Sequence, residues 1–153
     1  MIISTLQLGD ITVEEKDIII FPQGLPGFEE LKQYIIVQSG EEEPFAYLQS
    51  IDDKELSFVI TNPFLFFSDY EFQLSEGVQD ELEINNEQEV AVWTIVTVST
   101  NIENITANLL APVVVNVKKR VGRQIILHNS LYKTKHSLIE QNRASDSQMG
   151  GES

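Results

Sequence analysis

The feature that most constrains this chain is a succession of short β-rich runs separated by turn signals. The runs are "IISTLQL" (2–8), "DIIIF" (17–21), "YIIVQ" (34–38), "FAYLQSI" (45–51) and "LSFVI" (56–60). They continue with "DYEFQL" (69–74), "VAVWTIVTV" (90–98), "ITANLLAPVVVNV" (105–117) and "RQIILH" (123–128). Between them stand "LGD", "GEEEP", "DDKE", "STNIEN" and "KKRVG", whose compositions suit hairpins and short loops. So many short runs with few helical windows predict an all-β chain, a β-barrel-like fold of short antiparallel strands with one or two short helices. The helical windows are "FEELKQY" (28–34), which follows Pro26-Gly27, and "SEGVQDELEI" (75–84). In the second, Ser75 is followed three residues later by Val78 rather than Glu, so the stretch lacks a capping box.

A length of 153 residues fits one domain with a sizeable core. Residues 1–138 are expected to form it, and the polar, Gly/Ser-rich tail 139–153 to be disordered. No run approaches the ~20 apolar residues of a membrane-spanning helix, and "MIISTLQLGD" lacks the basic start of a signal peptide. The absence of cysteine removes disulfides, thiol nucleophiles and thiolate metal sites together. A cytoplasmic location is the expectation.

Charge is unevenly spread. Residues 1–117 set Lys16, Lys32 and Lys54 against twenty-one carboxylates, a balance of −18, while residues 118–153 carry +4, giving the overall −14. Such a field repels nucleic acid and anionic membrane, so direct contact with either is not expected, and it speeds encounter with basic partners. Solubility alone would also account for it. The basic cluster "KKRVGR" (118–123) has no neighbouring aromatic platform and reads as a solvated hairpin turn with Gly122 relieving backbone strain. A contact for an anionic partner segment is the alternative.

Catalysis has little to stand on. His128 and His136 lie eight apart, outside metal-ligand spacings, and no nucleophile elbow, P-loop or dinucleotide fingerprint occurs. The acidic runs at 41–43 and 52–53 lack the Ca²⁺-loop pattern, and "FPQGLPGF" (21–28) reads as a rigid turn rather than a phosphate cradle. No catalytic residue, metal or cofactor is therefore expected.

The unusual stretch is "TNPFLFFSDY" (61–70), four large apolar residues in a row behind a proline. From Ser68 onward Tyr70, Phe72 and Leu74 alternate with Asp69, Glu71 and Gln73. Carried backward, that register buries Phe64 and Phe66 and turns Leu65 and Phe67 outward, with Pro63 at an edge or strand start. Leu65 and Phe67, rimmed by Asp69 and Glu71, then form a candidate partner-binding patch of anchor-and-rim type. Burial on both sides, or a bulge at Ser68, is the competing reading.

"DIIIFPQGLPGFEELKQYIIV" (17–37), "FAYLQSIDDKELSFVITNPFLFFSDYEFQL" (45–74), "NITANLLAPVVVNVKKRVGRQIIL" (104–127) and "HNSLYKTKH" (128–136) closely resemble the flagellar assembly factor FliW family, in order and at the expected spacings. The resemblance covers about residues 1–138. It implies a small non-enzymatic β-barrel-like protein that binds flagellin in the cytoplasm. It also implies binding to the CsrA dimer, an RNA-binding repressor of flagellin translation, by an allosteric route that relieves the repression. Two other classes stand beside it. One is a nucleic-acid mimic whose acidic loops, such as Glu41–Glu43, occupy an RNA-binding surface directly. The other is a small-ligand barrel, which would need an apolar cavity that "VAVWTIVTV" and "NLLAPVVV" are expected to fill themselves.

Overall fold

A run such as "APVVVNV" cannot lie on a sheet with one wet face, because alternate side chains would stand in water. The structure, a computed structural model that describes residues 1–38, 43–98, 105–128 and 130–138, closes the sheet and covers it on both sides. An outer hairpin, β1 (Ile2–Thr5) and β2 (Gly9–Thr12), precedes the barrel. Barrel strands are β3 (Ile19–Ile20), β4 (Gln33–Gln38), β5 (Phe45–Ser50), β6 (Ser57–Thr61) and β7 (Val90–Thr97). After β8 (Thr106–Ala107) come the last two, β9 (Val113–Asn116) and β10 (Val121–Gln124), and then β11 (His136–Ser137). Seven strands close in the order β7-β6-β5-β4-β3-β10-β9, with β9 pairing back onto β7. All pairings are antiparallel except the single parallel bridge Val121↔Ile20.

Closure places one side of each strand inside. Ile19, Tyr34, Ala46, Leu48, Ile60, Val113 and Val115 form the inner core with Phe21 and Leu25, and Phe58, Trp93 and Ile95 pack against it. Side chains thus pack the interior, as expected for a seven-stranded barrel. The Tyr34 phenol is wholly buried there and its pKa is pushed up to about 12, by burial first and then by the charges of Asp52 and Asp53. Outward-facing residues are covered too. The β1–β2 hairpin lays Ile3 and Val13 on Ile35 of β4, and α1 (Glu76–Glu81) lies in the stretch that packs Leu82 on Val114 of β9.

Several expectations need correction. "FEELKQY" is not a helix: Phe28–Leu31 form turns and β4 begins at Gln33. The motif "FPQGLPGFE" instead closes one end of the barrel, with Leu25 buried, Phe21 N–H on the Lys32 carbonyl at 2.8 Å and Lys32 Nζ on the Pro22 carbonyl at 2.7 Å. The run 105–117 splits into β8 and β9, and "DYEFQL" forms no strand. The helix at 75–84 is present but short, with Ser75 Oγ accepting from Val78 N–H. Gly122 does not relieve turn strain. It lies in β10, where a Cβ would come within 2.9 Å of the Phe21 ring, and the left-handed residue of the turn is Arg120 at φ 57°. The expected tail 139–153 and residues 39–42 and 99–104 lie outside the described residues.

Gly24 and Gly9 separate conformation from space. Both have left-handed φ, 64° and 70°, but a Cβ on Gly24 would sit 2.6 Å from Glu29 Cα, while one on Gly9 meets nothing. Gly9→Ala should cost about 1 kcal/mol from backbone conformation alone. Gly24→Ala should cost more than about 2 kcal/mol, because the backbone of Glu29 cannot swing aside as a side chain would. Urea denaturation of the two variants checks this, and equal midpoints would show the end turn to be loosely held.

Candidate functional site

The stretch "TNPFLFFSDY" is a turn of 3₁₀ helix followed by a bend. Asn62 Oδ1 accepts from Phe64 N–H at 2.9 Å, and Pro63, whose φ is pre-set for a helix start, occupies the first position of the turn Pro63–Leu65. Phe67 N–H then reaches the Pro63 carbonyl at 2.8 Å and Tyr70 N–H the Phe67 carbonyl at 3.0 Å. A helical turn replaces the two-residue period with about three, so the backward register fails. Leu65 is 63% exposed, as expected, but Phe64 is 43% exposed rather than buried. Phe66 and Phe67 are both half-buried, so Phe67 does not face outward. Asp69 and Glu71 are exposed. The exposed residues Leu65, Asp69 and Glu71 thus share one continuous segment, with Phe67 packed beneath it.

That segment is pinned by an aromatic cluster. The buried Tyr70 hydroxyl donates to the Leu109 carbonyl at 2.7 Å, inside the break between β8 and β9, and burial drives its pKa well above the ordinary phenol range. The Tyr70 ring meets Tyr132 edge-on at 4.7 Å, and the Tyr132 hydroxyl accepts from Glu71 N–H at 3.1 Å. Phe66 stacks on Phe45 and Phe67 meets His136 edge-on at 5.7 Å. The strings "TNPFLFFSDYEF" and "HNSLYKTKH", far apart in sequence, therefore build one wall. His136 is part of that wall. Its Nε2 accepts from Lys133 N–H at 2.8 Å, and burial, then the Lys133 charge, lowers its pKa.

Beyond Tyr70 the segment Glu71–Leu74 lines two open grooves. One, of about 700 Å³, has Phe64, Tyr70, Phe72, Leu74 and Ile84 among its apolar walls and Glu71 and Glu87 as its charged residues. The other, of about 1070 Å³, lies between Phe72, Val78, Ile126, Leu131 and Tyr132. Among the described residues no group of three or more His, Asp or Glu could hold a metal ion, and no helix is long and apolar enough to cross a membrane. Much of the basic cluster is committed within the fold. Arg123 pairs with Glu81, and Arg120 donates to the Asp17 carbonyl at 2.7 Å. The Glu89 carboxylate accepts from the Asn85 N–H at 2.9 Å, and this bond, with the nearby Lys118 and Lys119, holds its pKa low. Glu43 is exposed, while Glu41 and Glu42 of the acidic loop fall outside the described residues.

Comparisons with known proteins converge. The family model described as FliW protein matches residues 2–138. The flagellar assembly factor FliW of Bacillus subtilis (strain 168) is 45% identical over 138 residues, covering 90% of this chain and 96% of the relative. That of Alkaliphilus metalliredigens (strain QYMF) is 44% identical over 142 residues, covering 92% and 88%. A crystal structure of the flagellar assembly factor FliW superposes with a TM-score of 0.85 at 47% identity, covering 90% of this chain and 96% of that one.

His136 gives the wall a pH dependence whose sign is fixed. Below the unfolded value of about 6.5 the unfolded chain takes a proton that folded His136 resists, so stability is full above that pH and falls as pH drops toward the lowered folded value. His136→Gln keeps an acceptor for Lys133 N–H and does not titrate. Between pH 7.5 and 5.5 the urea midpoint of the wild type should fall more steeply than that of the variant. Parallel profiles would contradict this role for His136.

Proposed function

The chain belongs to the FliW family and acts in flagellum assembly, and from that premise we propose that it works as a cytoplasmic regulator built on protein–protein contact. It binds flagellin, and when flagellin has been exported it captures the CsrA dimer and relieves repression of flagellin translation. No catalytic step is part of this role. The observation that carries the reading is the pairing of a rigid, side-chain-filled barrel with one exposed segment, held in place by the buried Tyr70–Leu109 bond. Leu65 serves as apolar anchor and Asp69 and Glu71 as acidic rim, with the half-buried Phe67 holding the turn from below.

The excess of carboxylates suggests how RNA is released. A strongly acidic body docked beside a basic RNA-binding dimer raises the cost of bringing phosphates near, in addition to any change of shape in the dimer. Direct mimicry of RNA remains the second reading, favoured by the same charge. Mimicry requires competition for one surface, whereas the preferred reading lets RNA and this protein occupy CsrA at different places.

Leu65→Ser is the discriminating substitution, since the side chain is mostly in water. It should weaken capture of flagellin or CsrA by about 2 kcal/mol or more while leaving the unfolding midpoint unchanged, whereas Phe67→Ser should lower that midpoint by opening the aromatic wall. Quantitative pull-downs with purified flagellin and CsrA, at several ionic strengths, provide the measurement. Undiminished capture by Leu65→Ser would remove the segment from the interface, and RNA displacement that ignores salt would remove the electrostatic part.

A further inference from the structure

The segment Glu71–Leu74 behaves as a strand without a neighbour. It belongs to no sheet, yet its side chains alternate, with Glu71 and Gln73 exposed and Phe72 and Leu74 half-buried. The Glu71 N–H is taken by the Tyr132 hydroxyl and the Leu74 carbonyl by Gln79 Nε2. Among the described residues, the N–H groups of Phe72, Gln73 and Leu74 and the carbonyls of Glu71, Phe72 and Gln73 have no protein hydrogen-bond partner. Unpaired main-chain groups in a row along a strand-like segment are a template for another strand. The groove beside them is apolar at Phe64, Phe72, Leu74 and Ile84, and its only charged lining residues are Glu71 and Glu87.

We propose that this groove receives an extended polypeptide segment that adds as a strand along Glu71–Leu74. Alternate apolar side chains of the incoming segment enter the groove, and the intervening positions carry Lys or Arg that meet Glu71 and Glu87. The alternation follows from the period of a strand, and the basic positions follow from a rim with carboxylates and no cation. A small molecule would leave the main-chain groups unpaired, and a helix has no free edge to offer them. This inference rests on the reading of Leu65–Glu71 as the partner-binding face and adds the mode of pairing.

The test uses the full chain, ¹⁵N-labelled, and a blocked ten-residue peptide of alternating valine and lysine. Two control peptides carry the same charge: one of equal composition with its valines and lysines in separate blocks, and one N-methylated at every internal residue. Saturable binding of the alternating peptide is expected, with exchange slowed about tenfold or more for the amides that share one edge of the segment, Phe72 with Leu74 or else Gln73. Both controls should bind about tenfold or more weakly, and Glu71→Lys with Glu87→Lys should weaken the alternating peptide similarly. Equal binding of the N-methylated peptide, a helical bound peptide, or protection confined to other strands would overturn the proposal. If Leu65→Ser loses flagellin and CsrA while the amides of Phe72–Leu74 stay unprotected, the partner face stands and strand addition fails. If those amides are protected while Leu65→Ser still captures both partners, strand addition stands and the anchor assignment fails.

Discussion

Closure of the barrel depends on one strand being shared. Val90–Thr97 is the longest strand, with eight residues, and it pairs with three others. Its first half runs beside Val113–Asn116, its second half beside Ser57–Thr61, and its end also beside Thr106–Ala107. Without that sharing the sheet would be open, with two edges that expose main-chain groups and invite aggregation. With it, the interior must be filled, and Phe21, Tyr34, Leu48 and Trp93 supply the bulk. The opposite seam is slender, a single parallel bridge between β3 and β10, and Gly122 lets the Phe21 ring pack against it.

The same strand explains where the candidate site lies. Two short strands lie in succession along β7, and between them the chain leaves the ladder after Asn108, whose N–H still reaches the Ile95 carbonyl at 3.0 Å, and returns after Pro112, which has no N–H to give. The carbonyls freed by that break are used at once. Leu109 accepts from the Tyr70 hydroxyl, Leu110 from Leu127 N–H at 2.9 Å and Pro112 from Ile125 N–H at 2.9 Å. A defect in one strand thus becomes the anchor of the segment that carries Leu65, Asp69 and Glu71. The exposed residues stand on a rigid footing while the grooves beside them stay open, a combination suited to recognising another chain without large rearrangement.

Much of this was legible in the residues, and the failures have physical causes. Existence of most strands followed from composition and spacing, because β-branched runs between turn residues have few other outcomes. At 69–74 the alternation was read correctly, yet alternation reports side chains and says nothing about whether a backbone partner is available. At 61–67 the misreading came from extending a period of two through Asn62-Pro63, a pair that starts a helical turn. "FEELKQY" has a helical composition, but left-handed Gly24 and Gly27 and the Phe21–Lys32 pairing hold it in turns. The wall formed with Tyr132 and His136 had no local signal at all. It joins residues far apart in the chain, Tyr70 with Tyr132 and Phe67 with His136, and only the closed sheet brings them together.

On this filled, carboxylate-rich barrel the segment from Leu65 to Leu74 joins an exposed Leu65 to a groove whose charged lining residues are Glu71 and Glu87. The most direct measurement is a titration of the ¹⁵N-labelled chain with purified flagellin, following every amide resonance. Shifts centred on Leu65–Leu74 and fading across the barrel are expected. Shifts centred on the Ile2–Thr12 hairpin, with Leu65–Leu74 silent, would contradict the placement of the binding face.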